Sequence, residues 1–120
     1  MTSTVTPILV TRDLDRLHAF YAGLVDATVV VRVPDEGPTF YLGLRIGDSD
    51  VGIATNAEVE VGKPVRMLLS IDVPDVDALL PRVTALGGAA PGPANDMPWG
   101  QRVAHISDPD GNVVNLTQQL

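Results

Sequence analysis

The chain has 120 residues, 45% of them apolar, with one Trp, two Tyr, two Phe, a net charge of −7 and an isoelectric point near 4.4. A chain this short fits one domain, and association helps it because a small core buries a limited share of the surface. The negative charge disfavours nonspecific attraction to nucleic acid or anionic membrane, and the lack of cysteine excludes disulfides, thiolate metal sites and cysteine nucleophiles.

With so few aromatics the core must be mainly Val, Leu, Ile and Ala, which favours a β-containing fold. Met1-Thr2-Ser3-Thr4-Val5 shows no basic stretch followed by an apolar run, and no apolar run reaches membrane-spanning length. The expectation is a soluble, cytoplasmic protein.

Thr4 to Thr11 is β-branched and apolar and predicts a strand, in which Pro7 removes one ladder donor and should face an edge or a bulge. From Asp13 to Val25, Leu14, Leu17, Tyr21 and Leu24 fall on one helical stripe with Phe20 beside it. Asp13 suits the N-cap, and Asp15 suits the positive end of the helix dipole. Ala27 to Val33, Thr39 to Ile46 and Val51 to Thr55 predict three further strands, separated by turns at Pro34 to Pro38 and Gly47 to Asp50. The order is β-α-β-β-β.

Asn56 to Pro64 is a polar connector, after which the order repeats. Val65 to Val73 predicts a strand and Asp75 to Leu86 a helix, ended by Gly87-Gly88. Pro81 inside that helix predicts a kink or an irregular first turn. A short strand near Ala89 to Gly92 precedes a loop, Pro93 to Gly100, that carries Met97-Pro98-Trp99. Two extended runs then flank Asp108-Pro109-Asp110-Gly111-Asn112, whose Pro, Gly, Asp and Asn residues are those that build tight turns, and they predict a closing β-hairpin. The halves align with an offset of 62, from Asp13 to Asp75, so that Leu17 meets Leu79 and Leu24 meets Leu86. Turn, cap and apolar stripe coincide, which points to an internal duplication.

Asp13-Leu14-Asp15-Arg16, Phe20-Tyr21, Val73-Pro74-Asp75-Val76-Asp77-Ala78, Pro98-Trp99-Gly100 and Asp108-Pro109-Asp110-Gly111-Asn112 together resemble the vicinal oxygen chelate superfamily, which includes glyoxalase I, extradiol dioxygenases and fosfomycin and bleomycin resistance proteins. The resemblance spans essentially the whole chain. It implies an α+β fold of one domain, residues 1–120. Two tandem βαβββ modules, about 4–56 and 65–118, would form a curled, barrel-like mixed sheet with the helices outside. It also implies a homodimer whose cavities take small molecules.

Enzymes of that family hold a divalent metal with His, Gln or Glu on the first and last strands of each module. The resemblance puts the first-strand ligand seven residues before the capping Asp, at Thr6, and the last-strand ligand three residues after the turn, at Asn115. The offset of 62 gives their mates as Leu68 and Ile53. Thr, Ile, Leu and the amide of Asn do not build a catalytic divalent site, which needs imidazole or carboxylate donors. No metal and no cofactor is therefore expected.

Only His18 and His105 remain as imidazoles. His18 falls on the first helix and reads as a surface or boundary residue. His105 lies in the closing hairpin, where it could donate a hydrogen bond or act as an acid or base, or serve as a partly buried structural residue. Val113, Asn115 and Thr117 share one strand face, and Thr6 and Ser70 add polar groups. The functional reading is a mostly apolar pocket with a few convergent polar groups. The alternative is a barrel filled by Leu68, Ile53 and their neighbours. Trp99 could stack on a ligand, Arg102 could pair with a ligand carboxylate or a surface acid, and one of Phe40 and Tyr41 must face the cavity side.

The favoured function is a metal-independent small-molecule binding protein, one that sequesters an antibiotic or a hydrophobic metabolite, with no nucleic-acid or membrane partner. The alternative is a glyoxalase-, isomerase- or dioxygenase-like enzyme using His105, Arg102 or an acidic residue. A regulatory subunit with a filled barrel is a third reading.

Overall fold

The computed structural model describes residues 5–63 and 65–120. It divides into two compact units, Met1–Val59 and Glu60–Leu120, that coincide with the two halves of the duplication. The first unit contains β1 (Ile8–Thr11), α1 (Leu14–Val25), β2 (Thr28–Val33), β3 (Tyr41–Ile46) and β4 (Ser49–Thr55). The second contains β5 (Leu69–Asp72), α2 (Val76–Ala85), β6 (Asn95–Asp96), β7 (Gln101–Ser107) and β8 (Val113–Gln119). Each unit is therefore one βαβββ module, and the fold is α+β.

Each module forms its own four-stranded mixed sheet, in the orders β1-β4-β3-β2 and β5-β8-β7-β6. The first strand runs parallel to the last, and the other pairs are antiparallel. Neither sheet closes on itself within its module, which is compatible with the curled arrangement expected of each half.

The helices form where their caps allow. The Asp13 carboxylate accepts from the Arg16 N–H at 3.1 Å, and the Asp75 carboxylate accepts from the Ala78 N–H at 3.2 Å. Each satisfies a first-turn donor that the helix itself cannot. α2 ends on Gly87 at φ +93°: the Gly87 N–H donates to the Thr84 carbonyl and the Gly88 N–H to the Val83 carbonyl. This is a Schellman cap, and its left-handed residue is a glycine because a Cβ is disfavoured there. α2 runs on through Pro81, where a kink or an irregular first turn was expected. The missing N–H would have reached Asp77, in the first turn of the helix.

α1 packs on β4, burying Leu17, Phe20, Tyr21 and Leu24 with Leu42, Leu44, Val51 and Ile53. α2 packs on β7 and β8, burying Val76 and Val83 with Ala104, Ile106, Val114 and Leu116. Period-2 alternation then leaves the other face of each sheet without a helix. No helix among the described residues is long and apolar enough to cross a membrane.

Several boundaries differ from expectation. β1 begins at Ile8, so Pro7 stands outside the strand, and its carbonyl accepts from the Gly52 N–H at 2.8 Å. The expected start at Thr4 lies outside the described residues. β5 begins at Leu69 rather than Val65, and β6 occupies Asn95–Asp96, while Ala89 makes only an isolated bridge to Ser107.

Candidate functional site

The helix-free face of the second module is the most polar surface that the fold assembles from the expected site residues. Two rows of side chains cross it. Ser70, Asn115 and His105 are register partners across β5, β8 and β7. Asp72, Thr117, Val103 and Asn95 form the next row.

The rows are internally bonded. His105 Nδ1 lies 2.7 Å from Asn115 Oδ1. With the amide oxygen as acceptor, Nδ1 is the donor of this contact, and that tautomer leaves Nε2 as an acceptor. The Thr117 hydroxyl donates to Asp72 Oδ1 at 3.0 Å, and the Gln119 amide reaches the same oxygen at 3.4 Å. At the margin, Trp99 Nε1 donates to Gln101 Oε1 at 2.9 Å, which tethers an indole that is otherwise 68% exposed.

Arg102 does not belong to this face. It pairs with Gln118 in the ladder, on the helix side, and its guanidinium bridges Asp96 at 2.7 Å and Asp77 of α2 at 2.8 Å. Those bonds, first among them the one to Asp96, raise the guanidinium above its ordinary value and hold the Asp96 carboxyl below its own. Of the two alternatives for Arg102, the structure gives the surface acids.

Ile53 is likewise displaced. It is fully buried beneath α1, on the helix side of β4. Ser70 is the repeat mate of Ile8; Ser70 pairs with Asn115, whereas Ile8 pairs with Gly52. The position equivalent to Asn115 is therefore Gly52, an offset of 115 − 52, or 63. The extra residue lies in the turn: Gly47-Asp48 links β3 to β4 directly, whereas the pair Asp108 and Asn112 encloses three residues in the second module. One added residue moves a position to the opposite face. Gly52 leaves room for Tyr41, since a Cβ there would lie 2.5 Å from the Tyr41 hydroxyl. Tyr41, rather than Phe40, is thus the aromatic of the open face, and Phe40 sits exposed just before β3.

Thr6 and Leu68 are exposed residues preceding β1 and β5, and they follow the alternation of Ile8 and Ser70. Thr6, Leu68, Asn115 and either Ile53 or Gly52 offer one hydroxyl and one amide, a donor set that does not fit a catalytic divalent ion. Among the described residues, no group of three or more His, Asp or Glu side chains is arranged to hold one. His18 is half-buried on α1, away from these rows. The residue that sequence reasoning missed is Asp72; its parity with Ser70 was the available signal.

The model of the Glyoxalase/Bleomycin resistance protein/Dioxygenase superfamily matches residues 3–116. The chain belongs to this superfamily. A glyoxalase-related enzyme from Fulvimarina pelagi is similar to it at 22% identity and a TM-score of 0.76, over 99% of this chain and 89% of the other. TioX from Micromonospora sp. ML1 is 24% identical with a TM-score of 0.74, over 99% and 100%. The E126Q mutant of the fosfomycin resistance protein FosX from Listeria monocytogenes, complexed with Mn(II) and 1S,2S-dihydroxypropylphosphonic acid, is 19% identical with a TM-score of 0.78, over 100% and 95%. At these identities the likeness to the three structures is one of fold. No curated protein matches the chain.

Proposed function

We propose that this member of the superfamily is a metal-independent small-molecule binding protein, acting as one domain and a homodimer in the cytoplasm. Its ligand contacts the helix-free face of the second module, through Ser70, Asp72, His105 and Asn115. The observation that carries the reading is the 2.7 Å contact between His105 and Asn115. At the position where the resemblance implies a metal-binding carboxylate, this chain has an amide whose oxygen is engaged with the neighbouring imidazole.

The pair presents an acceptor at Nε2, Ser70 a hydroxyl and Asp72 a carboxylate. With Arg102 turned to the helix side, these rows carry no cationic side chain. A neutral or cationic ligand, such as an antibiotic or a hydrophobic metabolite with a polar group, fits this balance better than an anion.

Metal analysis of the purified protein should find no stoichiometric Mn, Fe, Ni or Zn, and a thermal-shift screen of natural products should return a stabilising ligand without added metal. A ligand at 100 times its dissociation constant adds about 2.7 kcal/mol. Asn115→Ala should weaken such a ligand about tenfold, the value of one lost hydrogen bond near a polar partner. A stoichiometric, tightly bound metal overturns the reading.

A second reading, an enzyme with His105 as acid or base, is favoured by the contact to Asn115, which orients the ring and, with Nδ1 as donor, leaves Nε2 as the acceptor. The partner of His105 is an amide rather than a carboxylate, which orients the ring without bringing a charge to it. Turnover lost in His105→Gln, with ligand affinity retained, would select this reading.

A further inference from the structure

The first module carries a second, unrelated concavity. An open groove of ≈ 490 Å³ lies between the start of α1 and the loop after β2, lined by Arg12, Asp13, Asp15, Arg32 and residues 37–39. Three observations bear on it. Arg12 and Arg32 are both anchored on backbone carbonyls: Arg12 Nε donates to the Val59 carbonyl at 2.6 Å, and Arg32 donates to the carbonyls of Pro34 at 2.6 Å and Gly37 at 2.8 Å. Among the described residues neither has a carboxylate within ion-pair distance, although the chain holds 15 acidic residues and Arg45 and Arg102 are both so paired. Each guanidinium has five N–H donors, so these anchors orient the group and leave donors over.

Two oriented guanidiniums facing one groove without an acidic partner form a receptor for an oxyanion, whose oxygens match the planar fork. The sign of the surroundings limits its size. Asp13 and Asp15 line the same groove, and although the Asp13 carboxylate is turned onto the Arg16 N–H, the lining as a whole is balanced in charge. Balance rejects a polyanion, which needs a continuous basic surface, and admits a small molecule with one carboxylate or phosphate group.

We propose that the Arg12–Arg32 groove is an oxyanion-binding site, separate from the polar face of the second module, for a small ligand bearing a single carboxylate or phosphate group. It stands apart from the function proposed above, and either can fail without the other.

The test is a titration of the full-length ¹⁵N-labelled protein with inorganic phosphate and, separately, with acetate, each at constant ionic strength against chloride. The expected result is saturable movement of the amides of residues 13–15 and 37–39 in at least one arm, with the amides of residues 103–117 still. The arm that saturates identifies the oxyanion. Arg12→Gln and Arg32→Gln should each weaken that binding about tenfold or more, the value of charge-assisted hydrogen bonds, and Arg32→Lys, which keeps the charge but loses the fork, should weaken it less than Arg32→Gln. A response indistinguishable from chloride in both wild-type arms overturns the proposal, whatever the variants do to folding. So does saturation that both Gln variants leave unchanged.

Discussion

Asp96 and Arg102 show how a single residue can be read two ways until its neighbours are known. Arg102 was a candidate for a ligand carboxylate, yet it ties α2 to the sheet through Asp77 and Asp96. Its bond to Asp96 holds that carboxyl below the usual carboxylate range, the Coulombic attraction adding and desolvation opposing. A carboxyl lowered in the folded state contributes stability that is present above the unfolded value of about 3.9 and is lost as pH falls through the lower folded value. The gap in urea midpoint between wild type and Arg102→Gln should therefore narrow as pH drops below about 4. A gap that widens there would mean that Asp96 is not the partner that matters. At the same scale, buried Thr11 is polar without penalty, because its hydroxyl accepts from the Asp13 N–H at 3.1 Å and lies 3.3 Å from the Asp13 carbonyl.

Among the elements, the two helices and the closing turn were legible because their signals are local. Asp13 and Asp75 cap the helices as their position before an apolar stripe implies, and Asp75→Ala should cost about 1 kcal/mol by chemical denaturation. In the turn, Asp108 Oδ1 accepts from the N–H groups of Asp110 and Asn112, both at 3.0 Å, and its Oδ2 accepts from the Asn112 amide at 2.9 Å. The turn also docks on the connector: the Gly62 N–H donates to the Asp110 carbonyl at 2.6 Å, and a Cβ on Gly111 would lie 2.8 Å from the Gly62 carbonyl carbon. Gly111 and Gly47 both have positive φ, at 84° and 60°, but a Cβ on Gly47 meets nothing within 4 Å. Gly47→Ala should therefore cost only the left-handed penalty, about 1 kcal/mol. Gly111→Ala adds a clash with backbone and should cost about 2 kcal/mol or more. Equal losses in urea unfolding would show that the docking contributes nothing. Strand ends were less legible, as for β5, because Val65, Met67 and Leu68 share the apolar character of Leu69 and Ile71 while only pairing with β8 defines where it starts.

For the whole molecule, the proposed homodimer predicts a mass near twice 12.7 kDa by sedimentation at micromolar concentration; a monomer there would refute it. The duplication, the α+β class, the superfamily and the poverty of metal donors at the implied positions were readable from residue order alone. Each depends on local patterning or on residue identity, and neither changes when the chain folds. Which residues share a face depends on register, and register was decided by a single residue: the second module's turn is one residue longer than the first's. That difference buries Ile53 beneath α1, sets Gly52 opposite Asn115 in the repeat, and gives the hydroxyl of Tyr41 its place on the open face. Pairing across strands, which sequence spacing cannot supply once a turn changes length, also brought His105 to Asn115 and Asp72 to Thr117.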